Sequence, residues 1–128
     1  MVSVIIPTYN EEKALPATLG HLLAQPGDYE VLVVDGGSMD GTMTIARAEA
    51  AVRLSTAPKG RATQMNAGPA RATGEWLLFL HADTRLPQGA LATLNTMETR
   101  TDVQAGGFWH QFSGDDWRLR LVSYLDNV

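Results

Sequence analysis

His81, Ala82 and Asp83 directly follow WLLFL, a run of five apolar residues that is typical of a buried strand. An imidazole and a carboxylate two residues apart can both bind a divalent cation, and Mg²⁺ or Mn²⁺ prefers oxygen ligands. The aspartate could instead cap the next turn, and a single histidine is more often a hydrogen-bonded structural residue. The residues alone leave both alternatives open.

Three other apolar runs also end in polar loops. Their candidate binding residues are Pro7, Thr8, Tyr9 and Glu11 in the first loop, Asp35 in the second, and Lys59 and Arg61 in the third. The two cations could bind phosphate or lie on a solvated surface. Asp35 could accept hydrogen bonds from a ribose or a base, or simply cap the chain. The glycines after it indicate a turn, because the Lys-Ser/Thr ending of a P-loop is missing.

The apolar runs predict strands, leucines at helical spacing predict the first and the last helix, and the turn residues of DGGSMDGT predict the start of another. We expect strands at 2–7, 30–34, 52–56, 75–80 and 105–112, and helices from 15 to about 25, at 42–51, at 62–71 and after Pro87. This alternation predicts an α/β fold with an open, mostly parallel sheet flanked by helices, in a single domain over residues 1–128. Ligands of such sheets bind at the carboxyl ends of the strands, where the four polar loops would meet.

Composition excludes several classes of protein. Ten Lys and Arg against fourteen Asp and Glu give a net charge of −4, so we expect no nucleic-acid partner. Without cysteine, neither a disulfide framework nor a thiolate metal site is possible. The apolar runs are shorter than the about 18 residues of a transmembrane span, and a basic leader is missing. We therefore expect a soluble, cytoplasmic protein with no transmembrane segment.

Four ordered motifs connect these loops to a known family. VSVIIPTYNEE, EVLVVDGGSMDGT, GRATQMNAG and LLFLHADT together resemble the family 2 glycosyltransferases, inverting enzymes with the GT-A fold, over about the first ninety residues. GRATQMNAG followed by FLHADT is most similar to a small bacterial subgroup associated with arsenosugar biosynthesis. A dinucleotide-binding Rossmann domain is disfavoured, because no G-x-G-x-x-G follows the first strand.

The resemblance implies a Rossmann-like GT-A sheet that binds a nucleotide-diphosphate sugar donor at the rim formed by the polar loops. The donor-binding residues would be Pro7, Thr8, Tyr9 and Glu11 around the nucleoside, Asp35 at the base or ribose, and Lys59 or Arg61 near the pyrophosphate. The acceptor is not indicated by any of these motifs.

The resemblance also implies a metal ion at the fourth loop. His81-Ala82-Asp83 takes the position of the D-x-D motif of the family, so Asp83, together with His81, would hold the Mn²⁺ or Mg²⁺ that bridges the donor phosphates. His81 replaces the first aspartate of that motif, so one carboxylate ligand is exchanged for an imidazole.

The general base needed for inversion comes, in this family, from an Asp or Glu well downstream of D-x-D. After Asp102 the acidic residues are Asp115, Asp116 and Asp126, and none stands in a matching context. We expect the base and the acceptor-binding half to lie beyond Val128, in a longer protein.

The expected lack of the base and of the acceptor-binding half leaves a second function open. A non-catalytic nucleotide-binding or assembly module is the alternative function. A sugar-phosphate nucleotidyltransferase is disfavoured, because the first loop lacks the glycine-rich, basic signature of that class. An incomplete sheet exposes apolar surface, so we also expect self-association.

Overall fold

Four parallel strands, in the order β3-β2-β1-β4, form the sheet of this protein. The computed structural model describes residues 1–100, 102 and 104–107. Its strands are β1 (Val2–Thr8), β2 (Tyr29–Asp35), β3 (Val52–Thr56) and β4 (Trp76–Phe79), and its helices are α1 (Leu15–Leu23), α2 (Thr42–Ala48), α3 (Arg61–Ala67) and α4 (Ala90–Met97). The predicted order of strands and helices is confirmed as far as α4.

The helices end earlier than the sequence pattern predicts. Helix α2 stops at Ala48, because the backbone of Glu49 is extended and starts the turn into β3. Helix α3 stops at Ala67 and continues only as a 3₁₀ turn, Pro69–Arg71, since Pro69 has no N–H for an α-helical hydrogen bond. Of the strand predicted at 105–112, residues 105–107 form no strand, and the rest lies outside the described residues.

Strand β1 is the centre of the packing. The side chains of Val2, Val4 and Ile6 face a core that is completed by α1, α2 and α4. Ile5 faces the opposite side of the sheet, where α3 ends, and a Cβ on Gly68 would come within 2.5 Å of Ile5 Cγ2. Helices therefore cover both faces of β1, which confirms the α/β fold expected from its apolar run.

Strand β4 differs from the expectation that its apolar run is buried. Trp76 and Leu78 pack against the core, but Leu77 is 41 % and Phe79 42 % exposed. Within the described residues β4 pairs only with β1 and forms the edge of the sheet. Helix α3 packs over β1 and β2, and in the described part of the chain the face of β4 that carries Leu77 and Phe79 is only partly covered. Among all the residues that the structure describes, no helix is both long and apolar enough to span a bilayer.

A half-buried acidic group, Glu30, joins the amino ends of the strands. One carboxylate oxygen of Glu30 accepts hydrogen bonds from the Ser3 hydroxyl (2.6 Å) and from the N–H (2.6 Å) and hydroxyl (3.0 Å) of Thr73. The other accepts from Arg53 Nη1 at 2.8 Å. Burial alone would raise the pKa of Glu30, but the hydrogen bonds from Ser3, Thr73 and Arg53 outweigh it and lower the pKa to about 2. Glu30 thus links β2 to β1, to β3 and to the segment that leads into β4.

Replacement of Glu30 by Gln should lower the free energy of unfolding at pH 7 by about 1–3 kcal/mol, because a charged acceptor of four hydrogen bonds becomes neutral. The folded-state pKa of Glu30, about 2, lies below its ordinary value of 4.5. Its contribution to stability is therefore fully present above pH 4.5 and is lost as the pH falls towards 2. Urea unfolding between pH 7 and 3 measures both effects.

The control for this experiment is Glu49→Gln, which changes an exposed glutamate after α2. This variant should unfold like the wild type at each pH. Equal stability of Glu30→Gln and wild type at pH 7 would contradict the role assigned to the Glu30 network.

Candidate functional site

The loops that follow the parallel strands lie at one edge of the sheet, because parallel strands all end on the same side. The structure brings the predicted residues to this rim as follows: Pro7 and Thr8 at the end of β1 with Tyr9 and Glu11 beyond it, Asp35 at the end of β2, Lys59 between β3 and α3 with Arg61 as the first residue of α3, and His81, Ala82 and Asp83 after β4. The rim is the candidate donor-binding site.

Asp35 is completely buried and makes four hydrogen bonds within the chain. One carboxylate oxygen accepts from the hydroxyls of Thr8 (2.8 Å) and Ser38 (2.6 Å), and the other accepts from the N–H groups of Gly37 (2.9 Å) and Ser38 (2.7 Å). Burial would raise the pKa of Asp35, but these hydrogen bonds lower it. The carboxylate shapes the turn after β2, and direct contact with a nucleoside would require it to exchange a partner.

Hydrogen bonds join the loop after β1 to the loop after β2. The N–H of Asn10 donates to the Ser38 hydroxyl, and the N–H of Met39 donates to the Asn10 side-chain oxygen, both at 2.9 Å. The N–H of Glu11 donates to the Thr42 hydroxyl at 2.8 Å. Asn10 has a φ of 52°, a left-handed conformation that asparagine tolerates better than most residues. The two loops therefore form one hydrogen-bonded unit.

A cation–π contact connects the third loop to the first. The Lys59 ammonium lies 3.8 Å from the centroid of the Tyr9 ring, within the range of a favourable contact. Lys59 and Arg61 are both exposed, whereas Tyr9 is half-buried. Two cations and an aromatic ring thus lie next to each other on the rim.

The segment after β4 forms a tight turn supported by α1. The N–H of Thr84 donates to the His81 carbonyl at 3.0 Å, and the Thr18 hydroxyl donates to the Ala82 carbonyl at 2.5 Å. Ala82 is buried, and Asp83 is exposed. Among the described residues none donates a hydrogen bond to the Asp83 carboxylate, so the structure does not use it as a cap. Thr18, which no sequence motif singles out, holds this turn in place.

Negative charge collects around Glu11. Its partial burial raises its pKa, the carboxylates of Asp83 and Asp40 raise it further, and His81 opposes them. These charges come from three loops, so the structure brings Glu11, His81 and Asp83 into one electrostatic neighbourhood. No group of three or more His, Asp or Glu side chains is arranged to enclose a metal ion in the described part of the chain.

Gln64 on α3 is a buried rim residue that sequence reasoning missed. Its Nε2 donates to the carbonyls of Thr8 (2.7 Å) and Val34 (2.8 Å), and its Oε1 accepts from the N–H of Gly60 (3.2 Å). A Cβ on Gly36 would lie 2.7 Å from Gln64 Oε1, so the first glycine after Asp35 makes room for this amide. The only sequence signal is its place inside GRATQMNAG, where a glutamine on an exposed helix face would look the same.

The chain matches Glycosyl transferase family 2 over residues 3–124. It is 43% identical over 93 residues to a PGL/p-HBAD biosynthesis glycosyltransferase of Mycobacterium tuberculosis, covering 67% of this chain and 36% of that relative. It is 37% identical over 138 aligned positions to the undecaprenyl-phosphate 4-deoxy-4-formamido-L-arabinose transferase of Aeromonas hydrophila, covering 99% of this chain and 42% of that relative. The chain thus spans well under half the length of these two relatives.

A solved structure shares both the fold and part of the sequence. The mannosyltransferase PcManGT of Pyrobaculum calidifontis, in complex with GDP-Man and Mn²⁺, superposes with a TM-score of 0.70 and 34% identity. The match covers 78% of this chain and 33% of that one. From the matched family, these relatives and the open parallel sheet, the chain belongs to glycosyltransferase family 2 and has the GT-A fold.

Proposed function

We propose that this chain is the donor-binding part of an inverting glycosyltransferase, which moves a sugar from a nucleotide-diphosphate donor to an acceptor hydroxyl. The observation that carries this proposal is the assembly of the four polar loops at one edge of the sheet, with two of them joined by hydrogen bonds and a third by a cation–π contact. The GDP-Man in the related mannosyltransferase supports a nucleotide sugar as ligand class.

The nucleoside would lie against the first two loops. The half-buried Tyr9 ring offers an apolar face, Glu11 follows it on the same loop, and Pro7 precedes it at the end of β1. Asp35 and Thr8 are buried and hydrogen-bonded to each other at 2.8 Å. We therefore assign Tyr9, Glu11 and Pro7 to the walls of the pocket, and Thr8 and Asp35 to its floor.

The diphosphate would lie between the cations and the acidic turn. Lys59 and Arg61 are both exposed, so their long side chains can turn towards phosphate oxygens, Lys59 from its place over the Tyr9 ring. Asp83 offers an exposed carboxylate, His81 a half-buried imidazole, and Ala82 carries the carbonyl that fixes their turn. The donor set of Asp83 and His81 fits Mn²⁺ or Mg²⁺, because such ions complete their coordination with substrate phosphates and water.

When bound there, a divalent ion would neutralise the charge of the departing nucleoside diphosphate. The part of the protein's own residues is to hold the donor in place: Lys59 and Arg61 orient the phosphates, and the fixed loops keep the sugar at the open side of the rim. Inversion also requires a base that removes the proton of the acceptor hydroxyl.

Two narrower assignments from the sequence stay predictions. Neither of the compared relatives has a name that refers to arsenosugars, so the arsenosugar-type subgroup rests on GRATQMNAG and FLHADT alone. The cytoplasmic location rests on composition alone.

Nucleotide binding is tested by thermal unfolding with UDP or GDP, each with and without Mn²⁺. A nucleotide at a hundred times its dissociation constant stabilises the folded state by about 2.7 kcal/mol, a rise in Tm of several degrees for a domain of this size. We expect such a rise with one of the two nucleotides and a larger rise with Mn²⁺. Asp83→Ala should remove the increment due to Mn²⁺.

The control variant is Asp102→Ala, which removes another exposed aspartate, one that pairs with Arg100 at 2.6 Å outside the four loops. It should keep the full Mn²⁺-dependent rise. The proposal fails for this chain if neither nucleotide changes the Tm of the wild type. The metal assignment alone fails if Asp83→Ala responds to Mn²⁺ like the wild type.

We also propose that this chain self-associates through the open side of β4. Leu77 and Phe79 are exposed there, on an edge strand that pairs only with β1 in the described residues. Light scattering should show a molar mass that rises with concentration and falls back in Leu77→Thr/Phe79→Thr. The control is Met39→Thr, because Met39 is 90% exposed but lies on the rim. A wild-type chain that is monomeric at all concentrations would rule this out.

A further inference from the structure

The polar loops of the rim differ in the number of contacts that hold them in place. The first two loops share several hydrogen bonds, including those of Asp35, Asn10 and Glu11. The cationic loop, residues 57–60 followed by Arg61 at the start of α3, has fewer links to its neighbours. In the described part of the chain these are the hydrogen bond from Ala57 N–H to the Asp35 carbonyl, the contact of Lys59 with Tyr9, and two hydrogen bonds between Gly60 and Gln64, one from the Gln64 N–H to the Gly60 carbonyl and one from the Gly60 N–H to the Gln64 side chain.

Gln64 is the connection that reaches all three loops. It is 4% exposed and uses both Nε2 hydrogens and its Oε1 inside the protein. The two carbonyls that it binds, of Thr8 and Val34, lie at the carboxyl ends of the central strands β1 and β2. The N–H that it accepts belongs to Gly60, between Lys59 and Arg61. One side chain therefore ties the cationic loop to the ends of both central strands.

The position of the Gln64 amide is fixed by its hydrogen bonds and by the two glycines beside it. A buried amide that loses its partners leaves unpaired polar groups, so alternative positions of Gln64 are disfavoured. Gly36 has no room for a side chain, because a Cβ there would lie 2.7 Å from Gln64 Oε1. Gly60 has a φ of 149°, which few residues other than glycine adopt. Both glycines thus fit the structure around this amide.

We propose that Gln64 is a positioning residue for the diphosphate: it holds Lys59 and Arg61 at the height where the phosphates of the donor reach them. This inference rests on the proposed function and deepens it. Gln64 does not touch the donor in this account, because its polar atoms are all occupied within the protein. It acts only through the position of the cationic loop.

The test compares UDP with uridine on wild type and Gln64→Met, with Mn²⁺ present, by calorimetry for UDP and by NMR titration for the weaker nucleoside. GDP and guanosine replace them if GDP is the nucleotide that stabilises the wild type. Methionine has a similar length but makes none of the three hydrogen bonds. We expect UDP affinity to fall about tenfold, the effect of one lost charge-assisted contact, and uridine affinity to stay the same.

Glu30→Gln is the matched control for a general loss of stability, because the Glu30 network joins the strands at their opposite ends. It should keep the UDP affinity of the wild type at a temperature where both variants are folded. If Gln64→Met does not fold, Gln64→Asn takes its place, because it keeps a buried amide but is one methylene too short to bind all three partners. The same selective loss of UDP binding is expected.

A double-mutant cycle with Lys59→Met tests whether Gln64 acts through the cationic loop. If it does, Lys59→Met should weaken UDP binding in the wild type and have a much smaller effect in Gln64→Met. Additive effects would overturn the inference, as would equal losses of UDP and uridine affinity, an unchanged UDP affinity in Gln64→Met, or a similar loss in Glu30→Gln. A wild type that binds neither UDP nor GDP would instead overturn the proposed function, and this inference with it.

Discussion

The buried carboxylate of Asp35 is the constraint on which the rim depends. Removing a carboxylate from water costs several kcal/mol unless hydrogen bonds replace its hydration. Here Thr8, Gly37 and Ser38 supply four of them, and all come from the end of β1 or the turn after β2. The first two loops must therefore keep their shape as long as Asp35 stays charged, since moving either one would expose an uncompensated charge in the interior.

The two ends of the sheet are fixed in the same manner but serve different purposes. At the amino ends, the Glu30 carboxylate accepts hydrogen bonds from Ser3, Thr73 and Arg53, and these contacts join neighbouring strands. At the carboxyl ends, the side chains of Asp35 and Gln64 are buried, whereas Lys59, Arg61 and Asp83 are exposed to solvent. An apolar centre with a polar hub at each end makes the strands rigid. Chemistry that needs fixed distances is then best placed at their tips.

The sequence predicted the fold well because the central strands of a parallel sheet are buried on both faces and read as apolar runs, while α1 and α4 carry leucines at helical spacing. The exposure of Leu77 and Phe79 was not predictable in this way, since it depends on which elements lie beside β4. The role of Asp35 stayed open because a ligand contact and a turn-forming carboxylate have the same spacing. Gln64 was missed for a related reason: burial of an isolated polar residue on a helix is set by tertiary packing, which its neighbours in sequence do not encode.

The charges of the rim are separated, and this separation constrains how any anion can bind. Partial burial is the main reason why the pKa of Glu11 is raised, and the nearby carboxylates of Asp83 and Asp40 raise it further. Lys59, in contrast, lies over Tyr9, in the loop that leads into α3. An anion with two phosphates is attracted to the second group and repelled by the first. It can span both only if a cation offsets the acidic side. The exposed carboxylate of Asp83 is therefore suited to pair with a cation that binds together with the anion. The hydrogen bonds of Asp35 and Gln64 fix the neighbouring loops that carry Tyr9 and Lys59.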